Sequence, residues 1–165
     1  MARVLIVGGG CRGRALAARL IDGGHAVRIT TRTERGRAEI EALGADCWIG
    51  TPDLLQTLRG ALDGVTVVCW LLGTASGEED KLTALHTTRL ELFLTQAIDT
   101  TVRGLVYEAG GEGGPAAARE RAEEIVRTIT ARNQIPLAWL DEDPRATDAW
   151  VTAALGAVEG ILAAR

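Results

Sequence analysis

Three glycines, Gly8, Gly10 and Gly13, follow the apolar run Val4-Leu5-Ile6-Val7 and lead into the alanine-rich stretch Arg14-Ala15-Leu16-Ala17. Their spacing is G-x-G-x-x-G, placed after a buried-type strand pattern and before a helical one, which is the context that marks a dinucleotide-binding turn. The first glycine permits a tight turn, the second lets backbone approach a pyrophosphate, and the third lets helix and strand pack closely. The anion would rest on the free N–H groups and positive dipole end of the helix. Cys11 and Arg12 fill the two variable positions and belong to the same candidate site.

The end of the next apolar run decides which dinucleotide is favoured. An acid there accepts hydrogen bonds from an adenosine ribose, whereas an arginine suits a 2′-phosphate. The chain reads Ile29-Thr30-Thr31-Arg32-Thr33. Arg32 is placed to face a phosphate, with Thr31 and Thr33 as hydroxyl donors, Arg35 as a further cation and Arg12 adding charge on the same side. The pattern favours NADP(H) over NAD(H). Two solvated surface arginines, with Glu34 serving a ribose, would account for the same residues. Flavin and S-adenosylmethionine sites generally want an acid at this position, and its absence counts against them.

A fourth apolar run, Val65 to Leu72, ends in Gly73-Thr74-Ala75-Ser76-Gly77. Small residues here keep open the cleft that a cofactor ribose and pyrophosphate would cross, and Gly73, Thr74 and Ser76 are candidate contacts. An ordinary strand-to-helix loop, with Ser76 near a helix N-terminus, reads equally well.

The elements that must position these residues alternate along the chain. Strands are predicted at Arg3–Val7, Ala26–Thr31, Asp46–Ile49, Val65–Leu72, Gly104–Ala109 and Leu137–Leu140. Helices are predicted at Cys11–Asp22, Glu34–Leu43, Pro52–Leu62, Glu79–Asp99, Pro115–Asn133 and Pro144–Ala164. Such alternation implies a parallel sheet with helices on both faces: an α/β, doubly wound, six-stranded Rossmann sheet of order 3-2-1-4-5-6 in three α/β/α layers. Gly110-Gly111-Glu112-Gly113-Gly114-Pro115 is expected to be a mobile loop over the cleft. It would be either a ligand-ordered lid or a simple connector. The last helix is expected to cover the open face of the sheet, with Trp150 extending that surface.

Composition narrows the class. A chain of 165 residues suits a single domain spanning 1–165, with no room for a second catalytic one. The net charge of −4 is mild and the charges are mixed, so nothing points to nucleic acid. All of the basic residues except Lys81 are arginine, which removes lysine from nearly every catalytic scheme. Cys11, Cys47 and Cys69 are too few for a disulfide framework and read as reduced thiols. His25 and His86 show no metal-ligand spacing. With no leader pattern and no membrane-length apolar run, the expectation is a cytoplasmic protein without a membrane partner.

The glycine turn, the Gly23-Gly24-His25-Ala26-Val27 entry to the second strand and Ala61-Leu62-Asp63-Gly64-Val65 before the fourth resemble extended and atypical short-chain dehydrogenase/reductases. The stretches His86-Thr87-Thr88-Arg89-Leu90-Glu91-Leu92-Phe93-Leu94 and Val102-Arg103-Gly104-Leu105-Val106-Tyr107 resemble that group too, including its NmrA-like and sugar-epimerase-like branches. The likeness covers about two-thirds of the chain and is specific to the fold more than to a reaction. It implies NAD(P) binding on this domain, and a homodimer through the long helices that follow the fourth and fifth strands.

The departures from that pattern are equally informative. Family chemistry uses a Tyr-x-x-x-Lys pair, in which the lysine lowers the tyrosine pKa. Here the only tyrosine is Tyr107, and Gly111 stands four residues later. The relatives' serine pair is replaced by Glu108-Ala109-Gly110-Gly111, and Thr51 stands where an adenine-contacting aspartate is common. His86 occupies a position where relatives often have asparagine and reads as a structural histidine. Glu108, at the end of the fifth strand, is the one catalytic candidate, as a general base; a hydrogen-bonded acid that fixes the glycine loop is the competing role. The expected function is therefore an NADP(H)-binding or redox-sensing module. The alternatives are an NADP-dependent oxidoreductase or epimerase with a non-standard active site, and a structural subunit that holds no nucleotide.

Overall fold

The computed structural model describes residues 1–164, and its strands form one sheet. They are β1 (Arg3–Gly8), β2 (Ala26–Thr31), β3 (Asp46–Ile49), β4 (Val67–Leu71), β5 (Gly104–Glu108) and β6 (Leu137–Leu140). The order is β3-β2-β1-β4-β5-β6, and every neighbouring pair is parallel. Connections of this length between parallel strands need crossovers, and helices supply most of them. These are α1 (Gly10–Asp22), α2 (Arg37–Ala42), α3 (Glu79–His86), α4 (Thr88–Ile98), α5 (Ala116–Arg132) and α6 (Thr147–Ala163). No described helix is long and apolar enough to cross a membrane.

The central strands read as continuous apolar runs because both of their faces are buried. Val4 and Ile6 of β1, with Cys69 of β4 and Val106 of β5, point toward α1, α2 and α6. Leu5, Val7, Trp70 and Tyr107 point the other way, toward α3, α4 and α5. Period-two alternation along β5 therefore puts Glu108 on the face of Val106, beneath α6. α6 covers this face of the sheet, and Trp150 is fully buried in that layer beside Val151, Ala154 and Val158.

Two predicted helices take other forms. Residues 52–62 make two short 3-10 turns, Leu55–Leu58 and Gly60–Leu62, instead of a helix. Side chains capture the backbone groups that a helix would use: Thr57 Oγ1 donates to Leu54 O at 2.6 Å and accepts from Thr51 N–H at 2.8 Å, while Trp48 Nε1 donates to Thr57 O at 2.7 Å. The predicted helix 79–99 breaks at Thr87, whose φ of −121° and ψ of −90° are non-helical, dividing it into α3 and α4. The last helix starts at Thr147 because the Asp143 carboxylate binds the Arg145 N–H at 2.9 Å and its guanidinium as well, closing a local turn first.

Candidate functional site

The glycine turn lies at the carboxyl end of β1, where the strand order reverses. Gly8, Gly9 and Gly10 have φ of 83°, 86° and 52°, a left-handed run that suits glycine and turns the chain directly into α1. Gly13 packs on the turn so closely that a Cβ there would lie 2.9 Å from Gly8 O, and a Cβ on Gly8 would lie 2.6 Å from Leu71 O. A Cβ on Gly10, by contrast, would meet nothing within 4 Å beyond its own chain neighbours and helix backbone. The turn is thus closed toward the sheet and open outward. The first N–H groups of α1 lack intrahelical partners, as at any helix start, and lie at this opening.

On the β1-β2-β3 side, the turn borders a cavity of about 310 Å³ lined by Gly8, Thr31, Arg32, Asp53, Ser76 and Lys81, among others. Arg32 stands at the end of β2 as expected, with its side chain 70 % exposed and Nη1 3.1 Å from the Asp53 carboxylate. Arg35 is exposed in the turn 34–36 and does not line the cavity. Sequence reasoning missed Asp53 and Lys81. Asp53 lies only two positions after Thr51, which stands where an adenine-contacting aspartate is common in the family the chain resembles. Lys81 gives no sequence signal, since only the crossover into α3 brings it to the cavity that Thr30 and Thr31 also line.

Arg12 goes to the other half of the sheet. Its Nη2 donates to Thr74 Oγ1 at 3.2 Å and to Glu108 Oε2 at 3.3 Å, and the guanidinium lies 4.9 Å from the centre of the Trp150 ring. Arg12 and Arg32 therefore do not add charge on one side, which corrects the expectation: the carboxylate of Glu108 and the face of Trp150 draw Arg12 toward β5 and α6. Cys11 stays exposed at the turn, its Sγ accepting from Arg14 at 3.2 Å.

The Glu108 side chain has no exposed surface. Oε1 accepts the Gly73 N–H at 2.8 Å, and Oε2 accepts Trp150 Nε1 at 2.7 Å as well as Arg12. It ties the loop after β4 to α6 and to the turn helix. All three bonds go to Gly73, Trp150 and Arg12, and none of them to the loop 110–114.

Residues 110–115 are docked instead of free. Gly113 N–H donates to Gly73 O at 2.8 Å, Arg119 donates to Gly111 O and Gly114 O, and His86 Nε2 lies 2.5 Å from Gly113 O. His86 is 2 % exposed, and its pKa is lowered by burial, with Arg119 adding to the effect and the Gly113 bond opposing it. Tyr107 is equally buried, and its phenol is pushed up to about 12 by burial, then by Glu123 and Glu108. It packs edge-on against Trp139, ring centres 5.3 Å apart, as expected of a packing residue. Cys69 is sealed in the core and also pushed up to about 12 by burial.

No protein-family model matches the sequence, and no curated protein does. Solved structures share the fold. Vestitone reductase from alfalfa (Medicago sativa L.) superposes with a TM-score of 0.67 at 18 % identity, over 86 % of this chain and 56 % of that one. UDP-glucuronic acid 4-epimerase from Bacillus cereus, in complex with NAD, gives 0.65 at 13 % identity over 84 % and 55 %. Triphenylmethane reductase from Citrobacter sp., complexed with NADP(H), gives 0.64 at 15 % identity over 85 % and 49 %. The chain spans about half the length of these structures.

Proposed function

We propose that this chain binds NADP(H) at the Gly8–Gly13 turn and works as the cofactor domain of an oxidoreductase or epimerase whose active site is not of the Tyr-x-x-x-Lys type. The turn itself carries the reading: it is left-handed through three glycines, sealed against β1 by Gly13 and open above Gly10, beside a cavity large enough for a nucleoside. Backbone N–H groups of Gly10, Cys11 and Arg12 would hold the pyrophosphate. Thr31 and Arg32, with Arg35 nearby, would meet the adenosine ribose and its 2′-phosphate. Gly73 and Thr74 would border the path between the two halves. Solved structures of this fold with NAD and with NADP(H) support the cofactor class, and the reductases and the epimerase among them support the reaction class. The cofactor supplies hydride chemistry when bound; this chain's contribution is to hold and orient it.

Arg32 supports the phosphorylated cofactor, since it stands where NAD-binding turns place an acid. Asp53 competes for the same guanidinium. The homodimer implied by the resemblance belongs to the proposal as well, through α4 and α5, where Leu92 is 55 % exposed. So does residence in the cytoplasm.

A second reading, a binding or redox-sensing module without turnover, is favoured by one observation: the Glu108 carboxylate is wholly taken up by Gly73, Trp150 and Arg12. Calorimetric titration with NADPH and NADH tests the cofactor. NADPH is expected to bind about tenfold more tightly, the scale of one charge-assisted contact; equal or tighter NADH binding removes the arginine argument, and no binding of either sinks both readings. NADPH oxidation against a carbonyl and quinone panel, with Glu108→Gln alongside, then separates enzyme from module.

A further inference from the structure

A cavity of about 540 Å³ lies at the amino ends of β4, β5 and β6, on the opposite edge of the sheet from the glycine turn. Doubly wound sheets bind their nucleotides at the carboxyl ends of the strands, so a cofactor at the turn does not occupy it. Its volume falls among those of small-molecule sites, about 300–1,000 Å³. Two helices from opposite layers bound it, through Ile98 at the end of α4 and Leu162 near the end of α6. Ile135 and Pro136, in the loop entering β6, complete an apolar wall.

Thr66, Arg103 and Gln134 line the same cavity, and each carries a hydrogen-bond donor. Arg103 is the one charged residue of the lining among the described residues, and no acid accompanies it. It is exposed, and its guanidinium bonds only to the adjacent Val102 O, at 3.3 Å. The cation is thus available to a ligand.

Gln134 is held there against local preference. Three helices end in the same pair of bonds. After α1, Gly24 N–H donates to Ile21 O at 2.9 Å and His25 N–H to Leu20 O at 3.0 Å. After α2, Gly44 N–H donates to Glu41 O at 2.9 Å and Ala45 N–H to Ile40 O at 3.4 Å. After α5, Gln134 N–H donates to Ala131 O at 3.3 Å and Ile135 N–H to Thr130 O at 2.9 Å. The turning residue is left-handed each time, with φ of 88°, 87° and 55°. Glycine adopts this conformation without a steric penalty and is the usual residue at such a helix end. The chain has glycine at two of the three ends and a strained glutamine at the third, where the side chain lines the cavity.

We propose that this cavity is a second ligand site, and that its ligand is an amphipathic anion: a carboxylate carried on a hydrocarbon or aryl body. The carboxylate pairs with Arg103, whose planar fork suits it, and accepts from the Gln134 amide. The body lies against Ile98, Ile135 and Leu162, where removal of apolar surface from water supplies affinity. A nucleotide at the glycine turn is not required.

Calorimetry with octanoate, 1-octanol and acetate tests the site on the full chain. Octanoate is expected to bind one to one with a Kd below about 1 mM, 1-octanol more weakly, and acetate not measurably. Arg103→Gln alters an exposed side chain. It should weaken octanoate about tenfold, the scale of a hydrogen bond to a charged group, and leave 1-octanol unchanged. Gln134→Gly should leave the urea midpoint no lower, since glycine suits the left-handed turn, and still weaken octanoate about threefold. A wild type that shows no saturable octanoate binding overturns the proposal, as does equal affinity in Arg103→Gln. Loss of binding in Arg32→Gln instead would put octanoate in the cavity beside the glycine turn and overturn it too. Unchanged affinity in Gln134→Gly would remove that side chain from the site.

Discussion

A buried histidine with one satisfied nitrogen sets a pH limit on the docked glycine loop. His86 Nε2–H donates to Gly113 O, while Nδ1 is buried without a partner. Burial, with Arg119 nearby, holds the folded pKa below the ordinary 6.5, so the ring is neutral in the folded state. The unfolded chain takes up its proton near pH 6.5 and the folded chain resists doing so. The stabilisation is therefore complete above about pH 6.5 and is lost as pH falls toward the lower folded value. Urea midpoints should drop between pH 7 and 5 in the wild type, and drop less in His86→Gln, whose amide still donates to Gly113 O. Parallel profiles would refute this. The exposed carboxylates Glu34 and Asp143 are lowered by their bonds to Arg37 and Arg145, and they act in a separate window below their ordinary values of 4.5 and 3.8.

At the scale of the element, α1 depends on its third glycine. A Cβ at Gly13 would meet Gly8 O at 2.9 Å, and backbone on both sides leaves little room to give. Gly13→Ala should push α1 off β1, costing about 1–3 kcal/mol in chemical denaturation. It should also weaken NADPH and ADP binding together, since the anion site is the turn itself. Normal stability with normal binding would show that the close packing is dispensable. The same turn was legible in the sequence because its three glycines and flanking patterns are local. The 3-10 turns after β3 were not: Pro52–Leu62 has helical spacing, yet Thr57 and Trp48 bind its backbone groups through partners that the spacing does not reveal. The break at Thr87 was hidden for a similar reason. Its hydroxyl donates to Thr83 O at 2.7 Å, and the turn leaves His86 facing the loop 110–114.

Across the whole molecule, Trp150 joins elements far apart in the chain. It is fully buried in the layer of α1 and α6, donates to Glu108 and underlies Arg12. Trp150→Ala should cost about 3–5 kcal/mol, as for other large-to-small core changes. Trp150→Phe keeps most of the bulk but strips one donor from the buried carboxylate, and it should cost about 1–3 kcal/mol. If the two were equally destabilising, packing would contribute nothing beyond the hydrogen bond; if Phe were neutral, the bond would contribute nothing.

Local pattern was enough to determine the strand order, the glycine turn and the place of Arg32, because each depends on a run of neighbouring residues and on the two periods of strand and helix. Tertiary structure alone decided where Arg12 points and what Glu108 does. The partners of Arg12 lie 62 and 96 residues away, at Thr74 and Glu108. A guanidinium beside a turn can reach solvent, a phosphate or a buried carboxylate. Only the assembled sheet, with α6 closed over β5, presents it with the last.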